Sequence, residues 1–287
     1  MKSISLFLLQ IACCLMASCQ SANESPQQPA SNPVAPAPES PSPEASEDLT
    51  CEMKALLAAY PQLIKTVRDN QVIFQDGSSL PWDDGKLNKS FEQLVNEPDI
   101  EDQFHFRYPT NELPNKIPKN EDPGRIRNED FFKKMYGTSA ENVRNHLVDV
   151  LWCPKTIGQT IRVTQVNRVD SIIRLISAEL DEMPEFKKFV SNIGGTFNWR
   201  LISGTSRLSM HSFGMTIDIN TSCSNYWQWD CSCKAEDVNL GYKNQIPEAI
   251  VRVFEKHRFI WGGRWYHYDT MHFEYRPELF GVCEGKK

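Results

Sequence analysis

Apolar residues recur along this chain with two different periods, and those periods divide it into predicted elements. Val169, Ile172, Ile173, Ile176 and Leu180 return at steps of three and four, the spacing of one face of an amphipathic helix from Val169 to Leu180. A second helix is predicted from Pro247 to Lys256, burying Ile250, Val251 and Phe254. A third is predicted to begin at the capping-box sequence Thr138-Ser-Ala-Glu141, where Thr138 and Glu141 bond each other's backbone. Its stripe is Val143, Leu147, Val150 and Leu151, and Pro154 stops it. His146 flanks that stripe with no partner in the sequence.

Elsewhere the apolar pattern shortens. The aromatic and branched residues from Thr196 to Ile202, and the segment Met215 to Ile219, read as short strands. Phe259-Ile260-Trp261, a Gly262-Gly263 turn and Arg264 to Tyr268 lead into a closing strand from Met271 to Tyr275. Strands and helices follow one another without regular alternation. The expected class is therefore α+β, a small antiparallel sheet with flanking helices, rather than a doubly wound parallel sheet. Residues Cys51 to Lys133 mix short apolar stretches with Pro, Asn and Asp and show no internal repeat. They predict a mostly helical or irregular N-terminal region of unknown role, assigned to 51–150, ahead of a core assigned to 151–287.

The N-terminus changes the picture. Behind Met1-Lys2 an apolar run extends from Ile4 to Met16, too short for a permanent membrane span and suited to export. It ends in Leu15-Met16-Ala17-Ser18-Cys19, which resembles the lipobox of bacterial lipoproteins. Residues 1–19 are thus read as a lipoprotein-type signal peptide with Cys19 as the lipidated residue, ordinary secretion being the alternative. Residues 20–50 are Pro-rich, with almost nothing apolar to offset ordering, and predict a disordered tether. The expected location is the bacterial cell envelope, lipid-anchored and facing the periplasm or exterior.

Composition then narrows the function classes. The 287 residues are 40% hydrophobic, enough for a real core, and the net charge of -6 comes with no basic stripe. Nucleic acid is not an expected partner. Beyond Cys19 stand Cys51, Cys153, Cys223, Cys231, Cys233 and Cys283, an even number that in an exported chain reads as disulfides, with three bridges possible and the pairing open. A four-thiolate zinc knot of Cys223, Cys231, Cys233 and Cys283 is the competing reading, although Cys-x-Cys lacks the usual spacer.

Candidate chemistry concentrates in Ser209-Met-His211-Ser-Phe-Gly214-Met-Thr-Ile-Asp218-Ile-Asn220. In a strand, Thr216, Asp218 and Asn220 share one face and Ile217 and Ile219 the other, so Asp218 is a carboxylate set in an apolar element. Gly214 lets the chain bend so that His211 and Asp218 converge. Downstream, Asp269-Thr-Met-His272 places a second carboxylate three residues before a second imidazole. Two imidazoles and one carboxylate suit Zn²⁺ and leave the fourth tetrahedral position for water, whose pKa zinc lowers to about 7. Asp269 is then placed to act as general base and acid.

These residues resemble the family of zinc peptidases that includes D-alanyl-D-alanine carboxypeptidases and L-alanyl-D-glutamate peptidases and shares its fold with the hedgehog signalling domain. The family pattern is Ser-x-His-x-x-Gly-x-Ala-x-Asp followed far downstream by Glu or Asp-x-x-His. Ser209, His211, Gly214, Asp218, Asp269 and His272 fall on it, while Thr216 departs from the usual Ala. The resemblance covers Val163 to Leu279. It implies one zinc ion on His211, Asp218 and His272, Asp269 as catalytic acid/base, and a peptidoglycan stem peptide as substrate. The family's arginine, which polarises the scissile carbonyl or holds a substrate carboxylate, matches Arg200; Arg207 is the second choice, and Ser209 is a further candidate for substrate binding.

Two outcomes remain open within that resemblance, removal of a terminal D-Ala or an internal cut such as L-Ala to D-Glu. A zinc-containing binding module without turnover is the alternative from another class. His267 and Glu274 are each candidates to orient a ligand imidazole. Trp261, Trp265, Tyr266 and Tyr268 read as packing or as a groove lining, and His105 and His257 have no partner pattern.

Overall fold

The computed structural model describes residues 49–110, 117–233 and 238–281. The signal peptide, the lipidation position Cys19, the tether as far as residue 48, and Cys283 lie outside the described residues. The order of elements is α1 (Cys51–Ala59), β1 (Ile64–Arg68), β2 (Gln71–Phe74), β3 (Ser79–Pro81), α2 (Phe91–Asn96), α3 (Glu129–Tyr136), α4 (Ala140–Arg144), β4 (Leu147–Trp152), β5 (Gln159–Thr164), α5 (Val169–Asp181), α6 (Lys187–Val190), β6 (Thr216–Asp218), α7 (Trp227–Cys231), α8 (Glu248–Lys256), β7 (Phe259–Trp261) and β8 (His272–Tyr275). Helices mixed with three small antiparallel sheets make the fold α+β.

The sheet that positions the site has strand order β6-β8-β7, with Ile217 opposite Phe273 and Phe273 opposite Trp261. One face is wholly apolar. Phe273 stacks on Phe254 of α8 at 3.9 Å between ring centres, and α5 packs beside α8 through Ile173, Ile176 and Leu180, all buried. Both helices run as their three-and-four spacing predicts. The opposite face of the sheet carries Thr216 and Asp218 beside Glu274 and His272.

Three expectations need correction. The predicted helix from Thr138 to Leu151 ends at Arg144, and its cap is Ser139, which accepts from the Asn142 amide; Thr138 instead bonds the Asn142 side chain. Residues 147–152 form a hairpin with β5, in which Val150 and Trp152 are buried while Asp149 and Leu151 are exposed. Val143, Leu147, Val150 and Leu151 fit the helical period while Val148, Val150 and Trp152 alternate as a strand does, and over so short a run the partner strand decides. Thr196 to Ile202 is a loop rather than a strand, bridged only near its ends, and Phe197 and Trp199 pack individually on the core. The N-terminal region, expected to be helical or irregular, contains the sheet β1-β2-β3. Its first turn, Asp69-Asn70, has both residues at positive φ, the geometry a tight hairpin demands.

Residues from both sides of position 150 enter one core, which runs from Leu56 and Tyr60 through Phe131 to Trp152, Phe254 and Phe273. Polar groups buried between them are satisfied across long sequence distances. Tyr108 donates to Glu255, which also receives Arg264, and Tyr60 donates to Glu278. Burial and the Glu255 charge hold the Tyr108 hydroxyl well above its ordinary range, so it remains a donor.

Of the cysteines, Cys231 and Cys233 are bonded to each other and Cys51 is disulfide-bonded, whereas Cys153 and Cys223 are free thiols. Three bridges therefore do not form, and the bond between Cys231 and Cys233 removes two thiolates from any zinc knot. Cys153 is a packed core residue: its backbone amide donates to Ser177, and burial pushes its thiol up to about 12.

The loops on either side of α2 are closed around Lys89. Its side chain is 3% exposed and its ammonium contacts Asp84, Asp99 and Asp102. Desolvation opposes the charge, but the three carboxylates raise the ammonium above its ordinary range. Removing the cation strands buried carboxylates. Lys89→Met is expected to cost about 3 kcal/mol of unfolding free energy, measured as a lower urea midpoint; an unchanged midpoint would contradict this role.

Candidate metal centre

Each residue of the candidate centre is set by a different local device, and the three devices meet at the open face of the β6-β8-β7 sheet. His211 lies in a 3-10 turn, Met210–Phe213, ended by Gly214 in the left-handed region at φ 66°. A side chain there would also strike Leu147, 2.6 Å from the position a Cβ would take. The reversed chain then enters β6, where Asp218 sits directly opposite His272 of β8. Backbone bonds from Asp218 N to Gly195 O and from Gly194 N to Asp218 O, 2.8 and 2.7 Å, fix the end of β6.

The side chains converge. His211 Nε2 is 3.1 Å from Asp218 Oδ2, His272 Nδ1 is 3.0 Å from Asp218 Oδ1, and the three donor atoms lie within 4.8 Å of one another. Zinc-ligand bonds of about 2.0–2.1 Å give a tetrahedron with edges of about 3.3 Å, so a small shift admits an ion. The far nitrogen of each imidazole is also engaged. His211 Nδ1 faces the Thr196 carbonyl at 3.1 Å and the Thr216 hydroxyl at 2.9 Å, and since Thr216 donates to that carbonyl, its oxygen is free to accept from the ring. His272 Nε2 faces Glu274 at 3.0 Å. Such partners fix the tautomers that turn His211 Nε2 and His272 Nδ1 towards Asp218. The donor set therefore fits a divalent ion.

Electrostatics carry the same signature. Burial works to raise the Asp218 pKa, but His211 and His272 override it and hold the carboxyl well below its usual range. Burial works to lower His272, yet hydrogen bonds to Asp218 and Glu274 raise it to about 10. The metal-free cluster thus keeps its charge balanced by protonating an imidazole. For Asp269 burial comes first and the Asp218 charge second, together raising it to about 7, while His272 and Arg200 pull the other way. Asp269 Oδ1 is buried and has no hydrogen-bond partner. The Asp269 backbone is held by Gly262 O at 3.0 Å and bridges Tyr226.

The other sequence candidates are distributed unevenly. Arg200 is exposed, with its guanidinium 3.3 Å from the Leu201 carbonyl, and its charge reaches Asp269. Ser209 is buried, and its amide bonds the Arg200 carbonyl at 2.9 Å. Arg207 instead lines a cavity of about 270 Å³ together with Arg127, Asn128 and Leu208. His267 does not approach the cluster's nitrogens; it pairs with buried Asp122 at 2.5 Å. Trp261, Trp265 and Tyr268 are buried packing residues, and Trp265 lies against the His272 ring at 5.7 Å. Thr216 and Arg127 were not singled out as imidazole or carboxylate partners by sequence. The first was signalled by its place on the Asp218 face; the second had no local signal. The acidic groups around Asp99 that also cluster are engaged by the Lys89 ammonium.

Residues 203–275 match the family model described as D-alanyl-D-alanine carboxypeptidase, a stretch that contains His211, Asp218, Asp269 and His272. Comparisons with curated proteins and with solved structures find no match. The family match supports a peptidase.

At pH 7 a His272 with a pKa near 10 is protonated in the metal-free protein, and an ion must displace that proton. Zn²⁺ uptake is therefore expected to release about one proton and to weaken as the pH falls. Calorimetric titration in two buffers of different ionisation heat measures the release; identical heats would contradict it.

Proposed function

We propose that this chain is a zinc-dependent peptidase that hydrolyses an amide bond in peptidoglycan stem peptides. The observation that carries the reading is the convergence of His211, Asp218 and His272 beside an enclosed carboxyl, Asp269, inside the stretch that matches a carboxypeptidase family. The hedgehog-type arrangement of the core is part of the same proposal. So is export to the cell envelope with lipid anchoring at Cys19, supported by the run from Ile4 to Met16 and the small residues before the cysteine.

When bound, the zinc ion would supply a Lewis acid that activates water and polarises a carbonyl at neutral pH. Asp269 has the two properties a proton carrier needs. Its Oδ1 is buried and open to a new partner, and its pKa near 7 lets it take a proton and return it without a large free-energy step in either direction. It would accept the proton of the attacking water and deliver it to the leaving amine. Arg200, at the exposed rim, is suited to hold the carbonyl oxygen or a substrate carboxylate. Ser209 would support Arg200 through the bond from its amide.

Incubation of the purified chain with cell-wall fragments, followed by mass spectrometry, is expected to reveal new amine termini that a chelator abolishes. Asp269→Asn is expected to keep the metal and lower kcat by about 10²–10⁴-fold. Full activity in chelator, or in Asp269→Asn, would end the proposal. Metal binding with no cleavage would instead favour a binding module. Arg200→Ala then separates two chemistries: a carboxypeptidase should show a raised KM on substrates with a free terminal carboxylate, whereas an internal cutter should respond equally to blocked and free ends.

A further inference from the structure

The stretch that matches the family begins at residue 203, yet the strand carrying His272 is braced by residues far upstream of it. Between residues 122 and 127 the chain makes three successive contacts with residues 265–274. Asp122 binds His267 through both its backbone amide, 2.9 Å, and its ring. Gly124 lies so close to Trp265 that a Cβ would fall 2.2 Å from the indole. Arg127 Nη1 reaches Glu274 Oε2 at 3.4 Å. Trp265 and Glu274 both touch His272.

Glu274 is held by different groups on its two oxygens. Arg276 Nη1 takes Oε1 at 3.0 Å, while Arg127 takes Oε2, the oxygen that faces His272 Nε2. Glu274 and Arg276 are fully buried, and Arg276 also binds Glu278. Arg127 is itself fixed by its neighbour Asn128, which caps α3, donates from its side chain to Pro98 O at 2.9 Å and donates from its backbone amide to Gln103 Oε1 at 3.1 Å. The guanidinium occupies a costly place. Burial and the charges of Arg207, Arg276 and Arg125 disfavour it while Glu274 favours it, leaving its pKa at about 10. A cation kept in that position serves the carboxylate it touches.

We infer that Arg127 is a positioning residue for the metal centre: by holding Glu274 Oε2 in place it orients His272 so that Nδ1 faces Asp218 and the ion. The inference rests on the metal reading above. It gives the region upstream of the family match a part in the chemistry, because Arg127 lies outside residues 203–275. Without Arg127, Glu274 pivots about its single remaining guanidinium, and the imidazole loses the fixed acceptor that selects its tautomer.

The test uses the whole chain and Zn²⁺, with affinity from competition against a chromophoric chelator. Arg127→Met is expected to weaken zinc binding about 10–100-fold, with a matching loss for Glu274→Gln and little further loss in the double variant. Arg127→Lys should restore most of the affinity, since the contact to Glu274 is a single bond that a point charge replaces. A merely structural role would lower the melting temperature without changing zinc affinity in the folded protein. Wild-type zinc affinity in folded Arg127→Met, or independent and additive losses in the double variant, would overturn the inference. If Arg127→Met does not fold, Arg127→Gln replaces it and the same outcomes apply. A wild-type chain that binds no zinc would overturn the metal reading itself, a result distinct from zinc binding that ignores Arg127.

Discussion

The register of β8 against β6 is the constraint on which the rest depends. Asp218 stands opposite His272 and Thr216 opposite Glu274, so two cross-strand pairs on one face create the carboxylate-imidazole contact and its support together. A slip of one residue would turn Phe273 towards the cluster and His272 into the apolar layer against α8. The stack of Phe273 on Phe254 therefore does more than fill space: it makes the wrong register expensive. His211 is then added from a separate turn, whose only strict backbone requirement is the left-handed residue Gly214.

Around that register the polar groups form a continuous buried chain. Tyr60 bonds Glu278, Glu278 bonds Arg276, Arg276 bonds Glu274, and Glu274 bonds His272. Each carboxylate and the imidazole in it is bonded to a neighbour, which helps ionised side chains persist without water, although Arg276 Nη2 is left without a partner. Asp269 Oδ1, within a few residues of the cluster, is likewise buried without a partner. Trp265 Nε1 is also without a partner, but Asp269 Oδ1 is the carboxyl oxygen among the described residues left so, and it is free to meet something else.

Legibility in the sequence followed the range of the interactions. The helices α5 and α8 and the strand β8 could be read because their periods are local and sustained. His211, Asp218, Asp269 and His272 could be read because their spacing is itself the pattern. The strand at Leu147–Trp152 could not, since one subset of its apolar positions fits a helix and another fits a strand, and β5, across the hairpin, decides between them. The N-terminal sheet was signalled by Asp69-Asn70 alone, a turn pair easily lost among other Asn and Asp residues. Glu274 and His267 looked equivalent along the chain; Asp122, more than a hundred residues away, is what separates them. Arg127 had no local mark at all, because its meaning comes from a carboxylate 147 positions downstream.

The cage around Lys89 has a bearing on how this molecule meets its surroundings. Clustered carboxylates of the Asp84, Asp99 and Asp102 kind are where a fold often recruits a dissolved cation, but here the counter-ion is covalently part of the chain. That cage therefore carries its own countercharge and needs no dissolved calcium or magnesium to balance Asp84, Asp99 and Asp102. Among the described residues, the imidazole cluster of His211, Asp218 and His272 is the group left with its donor atoms open to an ion, so any effect of a sequestering agent would report on that cluster rather than on a loosened scaffold.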